Sequence, residues 1–357
     1  MNYIGSKLSL RPFIKEKILE VSRIDKEDKV FGDLFAGTGV IGSEFKKMGY
    51  KVISNDIQHY SYTLNKHYIE NNYPMNTKLL EHLNSLKGEE GFIYNNYCMG
   101  SGSERNYFSD FNGKKCDAIR QELEKLYRNK KINKYQYNYF LASLINSIDK
   151  YANTVSIYGA FLKSLKKSAE KNFELELFPI IEGNKKGKVY NEDVNSLIKK
   201  IRGDILYLDP PYNLRQYSAN YHLLETISRY DSPIIKGKTG LRACNKQKSR
   251  FCSKTQVNQV FEELISNADF KYIFLSYNDE GLMKLDDIKR ILEKYGEYRC
   301  FATNYKRFKS DKDKNRNYKK SSTIEYLHCL IKNRKVLKDT NNPWYENLVK
   351  FGRYNLF

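Results

Sequence analysis

The run from Val30 to Asp56, VFGDLFAGTGVIGSEFKKMGYKVISND, restricts the fold more than any other part of the chain. An apolar strand near 30–35 gives way to a glycine-rich loop, then a helix-length amphipathic stretch over 39–48, then a second strand near 51–55. Strands joined through a helix run parallel, because the crossover brings the chain back to the edge it started from. Parallel sheets are covered on both faces, which predicts an α/β fold. Five further strands are expected near 188–190, 204–208, 271–276, 297–304 and 323–331. The last two are joined by a polar, charged loop and predict an antiparallel hairpin at one edge of a mainly parallel, seven-stranded sheet.

Between about 74 and 187 the strand signal lapses. Helical patterns over Cys116 to Arg128, Lys134 to Lys150 and Gly159 to Ala169 follow one another there, as in a helical insertion carried by the sheet. With 357 residues the chain accommodates one large α/β domain plus such an insertion. Residues 1–73 then form the first part of the core, 74–187 the insertion and 188–357 the remainder of the core.

Asp33 ends the first strand, and Gly37, Thr38, Gly39 and Gly42 follow in a literal G-x-G-x-x-G spacing. Glycines let the backbone turn tightly against a ligand, and Asp56, 19 residues after Gly37, stands where a carboxylate grips ribose hydroxyls. Three readings stay open: a dinucleotide site, a site for S-adenosylmethionine, and a structural turn. Asp33 weighs against the first, since a carboxylate beside the loop repels a pyrophosphate and suits a ligand with a sulfonium and an ammonium.

The nearly all-apolar strand at 204–208 runs into Asp209-Pro210-Pro211-Tyr212. Pro210 has no amide hydrogen to extend a ladder, so a strand-ending turn is the plain reading. Two prolines nevertheless fix the Asp209 carboxylate and the Pro210 carbonyl more rigidly than a turn demands, as positioned acceptors. Such acceptors suit the exocyclic amine of a base, a poor nucleophile whose lone pair is delocalised into the ring. Holding both its hydrogens favours a pyramidal nitrogen. Tyr212 would stack on the base, which has to leave the duplex to arrive, at a cost of about a few kcal/mol. Asp209 would serve as an orienting, charge-stabilising acceptor more than as a strong base.

Taken together, Ile4-Gly5-Ser6-Lys7, Asp33-Leu34-Phe35-Ala36-Gly37-Thr38-Gly39, Asn55-Asp56, Glu192-Asp193 and Asp209-Pro210-Pro211-Tyr212 resemble the alpha-group, Dam-like DNA adenine-N6 methyltransferases of restriction-modification systems. The match spans most of the chain and keeps the group's order: cofactor motifs, an insertion, then the catalytic tetrapeptide. The resemblance implies a Rossmann-like class I methyltransferase fold using S-adenosylmethionine, released as S-adenosylhomocysteine, with no metal. It implies that Tyr3 to Lys7 folds beside the glycine loop, with Lys7 near the cofactor's carboxylate. Asp33 and the loop through Phe35, Ala36, Gly37, Thr38 and Gly39 would face the methionyl end, Asp56 the ribose and Asp193 the adenine amine, with Asp209 also at the cofactor. Without the resemblance, Glu192 and Asp193 read as helix N-cap residues. The group's target-recognition region lies before the tetrapeptide, which points to the insertion, but this chain has a second candidate after it.

That candidate comes from charge. Lys and Arg number 62 against 42 Asp and Glu, a net +20 spread along the chain, which points to a polyanionic partner. From Lys236 to Lys254 there are seven basic residues and no acidic one, including Lys236, Lys238, Arg242, Lys246, Lys248 and Arg250. From Lys306 to Lys320 there are eight against two, beginning Lys306, Arg307, Lys309. Both are expected to contact double-stranded DNA through phosphates, with Arg215, Gln216 and Tyr217 beside the flipped base. Tyr221 and His222 are equally explained by core packing. The alternatives are methylation of cytosine N4, RNA or protein, an oxidoreductase using the glycine motif, and a non-enzymatic nucleic-acid-binding module. Asp33 argues against the oxidoreductase, and the intact tetrapeptide argues against the binding module. Six cysteines without metal-ligand spacing are expected as reduced thiols, and the N-terminus lacks a signal peptide, so a cytoplasmic protein is expected. A cognate restriction endonuclease is a further expected partner.

Overall fold

The computed structural model describes residues 3–24, 27, 29–72, 77–306 and 322–333. Seven strands form one sheet: β1 Val30–Asp33, β2 Lys51–Asn55, β3 Lys188–Tyr190, β4 Arg202–Leu208, β5 Asp269–Asn278, β6 Gly296–Lys306 and β7 Ser322–Lys332. Their order is β3-β2-β1-β4-β5-β7-β6. β1 to β5 pair in parallel, and β7 runs antiparallel to both β5 and β6. The βαβ unit and the edge hairpin are as the sequence predicts.

Burial explains the apolar strands. β4 lies at the centre, and Ile205, Leu206, Tyr207 and Leu208 are buried because helices cover both faces. On one face Ile14 and Ile18 of the helix Arg11–Ser22 and Phe45 of the helix Val40–Lys47 pack with Phe31, Tyr207 and Phe274, and the Phe31 and Phe45 rings stack at 3.8 Å. On the other face Leu264 and Ile288, from the helices Val257–Asn267 and Leu285–Glu293, meet Leu206, Leu208 and Ile273. Strand order reverses between β1 and β4: the chain builds outward from β1 through β2 and β3, then returns to add β4 on the opposite side. The loops that leave β1 and β4 therefore emerge side by side at the carboxyl edge, where open α/β sheets hold ligands.

The insertion supplies the helices Thr77–Ser85, Phe92–Tyr97, Asp110–Arg128 and Lys134–Tyr151. The expected helix over Gly159 to Ala169 does not form. Buried asparagines offer that backbone other partners: Asn153 Nδ2 and Asn106 Nδ2 donate to the Leu162 carbonyl, and Asn153 Oδ1 accepts from Lys166 N. The insertion shares one apolar core with Tyr60, Leu64, Tyr221 and Leu223, so it is packed onto the helices beside the sheet edge. Tyr221 and His222 are core residues, and His222 Nε2 lies 2.8 Å from the Tyr158 carbonyl oxygen. All six cysteines are free thiols. Among the described residues no helix is long and apolar enough to cross a membrane.

Candidate active site

The loops after β1, β2, β3 and β4 and the N-terminal residues line one open cleft. Its floor is set by the glycine loop. Gly37 and Gly39 take left-handed φ values of 51° and 78°, and Gly39 N donates to the Ala36 carbonyl in a tight turn. A Cβ on Gly39 would meet Asn65 Oδ1 at 2.9 Å, and one on Gly37 would meet the Tyr3 ring at 3.2 Å, so the turn is packed from both sides. Asn65 Nδ2 and Ser61 Oγ donate to the Gly37 carbonyl and hold it down.

Asp33 resolves the ambiguity of the glycine spacing. Its Oδ2 accepts from Gly42 N at 3.0 Å, in the first turn of the helix Val40–Lys47. The helix amide that a pyrophosphate would use is thus occupied by a carboxylate of the protein itself. Asp33 Oδ1 is buried without a hydrogen-bond partner at the cleft. Burial, with Asp209 and Asp56 nearby, outweighs the Gly42 hydrogen bond and pushes the Asp33 carboxyl up to about 7.

Asp56 accepts from Gly37 N and Gln58 N, each at 2.9 Å, and burial raises its pKa despite these donors. Asn55 joins the loops: Nδ2 donates to the Leu34 and Glu192 carbonyls, and Oδ1 accepts from Glu192 N. That brings Asp193 to the rim, where it does two things at once. It caps the helix Val194–Leu197 by accepting from Asn195 N and Ser196 N, and it lines the cleft. Phe35, Ala36 and Thr38 line the cleft as well.

Across the cleft, Asp209 follows the buried end of β4, with Pro210 buried behind it and Pro211 on the cleft wall. Asp209 Oδ1 forms a 3.0 Å ion pair with Lys7 Nζ, which also meets Glu325 Oε1 at 3.0 Å. Burial raises the Asp209 carboxyl to about 6, with Lys7 opposing the rise and Glu325 adding to it. Burial alone would lower Lys7, but the Asp209 and Glu325 carboxylates outweigh it and hold the ammonium well above its ordinary value. Lys7, expected at the cofactor's carboxylate, is therefore engaged with the tetrapeptide. The Tyr212 ring packs edge-on to Tyr277 at 6.3 Å, and its carbonyl accepts from Leu282 N.

The N-terminal segment reaches this place through tyrosines that follow the tetrapeptide. Tyr221 Oη accepts from Ile4 N at 2.7 Å, Tyr217 Oη donates to the Ile4 carbonyl at 3.1 Å, and Tyr3 stacks on Tyr221 at 4.6 Å. Gly5, at φ 78°, has room for no side chain: a Cβ would lie 2.7 Å from Tyr217 Oη.

The residues expected on the DNA side divide. Arg215, Lys236, Lys238, Lys246 and Lys248 are exposed. Arg242 is a correction: it is buried and forms two hydrogen bonds to the Asp231 carboxylate, at 2.9 and 2.7 Å, because a buried guanidinium requires a matched acid. Gln216 and Tyr217 also turn inward, Tyr217 as above and Gln216 by accepting from Ser249 N and donating to the Ser249 carbonyl. Arg250 lies on the cleft, 4.0 Å from Asp193 Oδ1. The Lys306 side chain, Arg307 and Lys309 lie outside the described residues. Sequence reasoning missed Glu325, whose one signal is an acid inside the apolar run of β7. It also missed Ser249 and Phe251, which wall the cleft, Phe251 edge-on to Phe35 at 5.1 Å.

The model of the D12 class N6 adenine-specific DNA methyltransferases matches residues 3–291. The chain is 53% identical over 336 residues to the Type II methyltransferase M.NlaIII of Neisseria lactamica, covering 93% of this chain and 99% of that protein. It is 42% identical to the Type II methyltransferase M.FokI of Planomicrobium okeanokoites, over 87% of this chain and 50% of that protein. With the Type II methyltransferase M.CviAII of Paramecium bursaria Chlorella virus 1 it shares 35% identity, over 87% of this chain and 93% of that one.

Proposed function

The chain belongs to the D12 class of N6 adenine-specific DNA methyltransferases, and on that premise we propose that Asp33 and Asp209 divide one cleft between a cofactor half and a target half. The cofactor is S-adenosylmethionine. The residues present fit it: Asp33 has a buried oxygen without a partner, and the turn at Gly37 and Gly39 leaves no room for side chains. When bound, this cofactor supplies a methyl group on a sulfonium. Asp33 and the loop Phe35 to Gly39 hold its methionyl end, Asp56 its ribose and Asp193 its adenine.

The target adenine, flipped from double-stranded DNA, enters beside Asp209. The Asp209 carboxylate and the Pro210 carbonyl accept the two amine hydrogens, and Tyr212 holds the plane of the base. Positive charge develops on that nitrogen as its bond to the methyl carbon forms and the sulfonium bond to that carbon breaks, leaving a neutral thioether; the anionic carboxylate stabilises the charge until one proton passes from the nitrogen to solvent. Lys236, Lys238, Lys246 and Lys248, with Arg215, contact phosphates, and the insertion contributes to target recognition. The work is cytoplasmic, and its counterpart is a restriction endonuclease acting on the same site.

One observation carries this reading: a carboxylate takes the helix amide that a dinucleotide phosphate would need, directly beside the second acidic strand end. The test is to incubate the protein with methyl-labelled S-adenosylmethionine and DNA and then analyse the nucleosides. Label in N6-methyladenine is expected, and label in another nucleoside or in protein would overturn the reading. S-adenosylhomocysteine is expected to raise the melting temperature, and NAD to leave it unchanged.

A further inference from the structure

Glu325 is a buried acid in contact with Lys7, behind the cleft wall, that the reaction as described does not use. It is only 4% exposed, on a strand whose Leu327, Cys329 and Leu330 pack into the apolar core. β7 runs against the parallel strands, so its beginning lies at their carboxyl edge, with Glu325 paired in register to Asn278 at the end of β5. That reversal delivers a side chain from the edge hairpin to the crevice. Glu325 Oε1 accepts from Ser276 Oγ at 2.7 Å and meets Lys7 Nζ at 3.0 Å, and Lys7 Nζ meets Asp209 Oδ1 at the same distance. One ammonium is thus shared by two acidic side chains.

We propose that Glu325 is a positioning residue for methyl transfer: by drawing on the Lys7 ammonium it keeps that cation from neutralising Asp209, and so preserves Asp209 as an acceptor for the target amine. With Glu325 uncharged, Lys7 pairs with Asp209 alone, and the adenine amine competes with a full ion pair for the same carboxylate. Ser276 fixes the oxygen that Lys7 meets. The groups facing Asp209 are Lys7 from the N-terminal segment, Tyr207 on β4, Tyr217 after the tetrapeptide, Glu325 on β7 and Asp33 on β1. Among them Glu325 and Asp33 oppose ionisation of Asp209 and Lys7 favours it. The inference rests on the reading of Asp209 as the amine acceptor.

The test compares wild type, Glu325→Gln, Ser276→Ala and Asp209→Asn as full chains. In the protein without cofactor or DNA, the Asp209 carboxyl is followed by carbon NMR against pH, assigned by its disappearance in Asp209→Asn. The Asp209 midpoint is expected to fall in Glu325→Gln by about one pH unit, and by less in Ser276→Ala. Removing a like charge from the cluster leaves the Lys7–Asp209 pair intact, so the melting temperature is expected to hold or rise. Single-turnover transfer in Glu325→Gln is expected to fall about tenfold at pH 8, with cofactor affinity kept. An unmoved Asp209 midpoint, or full transfer in Glu325→Gln while Asp209→Asn is inactive, overturns the inference alone. Near-normal transfer by Asp209→Asn overturns the reading of the site beneath it. If Glu325→Gln does not fold, an unmoved midpoint in Ser276→Ala overturns the inference.

Discussion

Asp33 and Asp209 follow neighbouring strands of one sheet, both are desolvated, and both are pushed above the ordinary carboxylate range, to about 7 and about 6. Their partners differ. Asp33 has a backbone amide on one oxygen and nothing on the other, whereas Asp209 has the Lys7 ammonium on Oδ1. An acid without a cation in a buried cleft is a binding group, incomplete until a positive ligand arrives. An acid already paired is held in place and oriented, which is what an acceptor for a substrate amine requires. Two strand ends of similar sequence chemistry are therefore proposed to take opposite tasks, and their surroundings differ through the segments that cross over them.

The largest expected effect separates these tasks. Asp209→Ala is predicted to lower single-turnover transfer by about 10²- to 10³-fold while cofactor affinity, read by calorimetry, changes little. A parallel loss of binding would merge the two halves of the cleft. Next, Asp33→Asn keeps an acceptor for Gly42 N but removes the charge. It is expected to weaken cofactor binding about 10- to 100-fold, the value of a hydrogen bond to a charged group.

A smaller effect follows from pH. The Asp33 carboxyl is raised to about 7 in the empty protein, and a cationic cofactor binds its ionised form. Below that value a proton must be released before binding. Affinity is therefore predicted to fall as pH drops from 8 to 6, by up to about tenfold per unit below 7, and calorimetry in two buffers of different ionisation enthalpy should report the released proton. In Asp33→Asn the slope should vanish. The linkage has a stability side of the opposite sign: a raised carboxylate binds its proton more tightly in the folded state, so the stability that protonated Asp33 and Asp209 contribute is lost as pH rises from the ordinary value of 3.8 toward 7 and 6 respectively. The buried histidines His59, His67, His222 and His328, lowered to about 4, act oppositely: their contribution is present above the ordinary value of 6.5 and is lost as pH falls from there toward 4. The smallest effect belongs to the outer face. Lys246→Gln or Lys248→Gln should each weaken DNA binding a few-fold and reduce the salt slope by about one, with cofactor affinity unchanged.

How much of this was legible in the sequence depended on range. The seven strands were, because apolar runs such as Ile205 to Leu208 record burial locally. The turn at Gly37 and Gly39 and the position of Asp56 and Asp209 on one cleft were, since backbone turns and strand ends leave short-range marks. The stretch over 159–169 was misread because Asn106 and Asn153, distant in sequence from parts of it, supply hydrogen bonds that compete with a helix. Arg242 was misread because a count of charge does not say which way a side chain turns, and Asp231 turns this one inward. Glu325 was invisible because its meaning lies in strand direction: only the antiparallel β7 brings residue 325 to Lys7, more than three hundred positions earlier in the chain.

The division of the cleft is tested most directly by measuring cofactor binding and single-turnover methylation side by side in Asp33→Asn and Asp209→Asn, with the cofactor raised to saturation. The account predicts that Asp33→Asn binds weakly but regains most of the wild-type transfer rate once saturated, and that Asp209→Asn binds normally yet fails to transfer at any cofactor concentration. Loss of the same property in both variants, or normal transfer by Asp209→Asn, would contradict it.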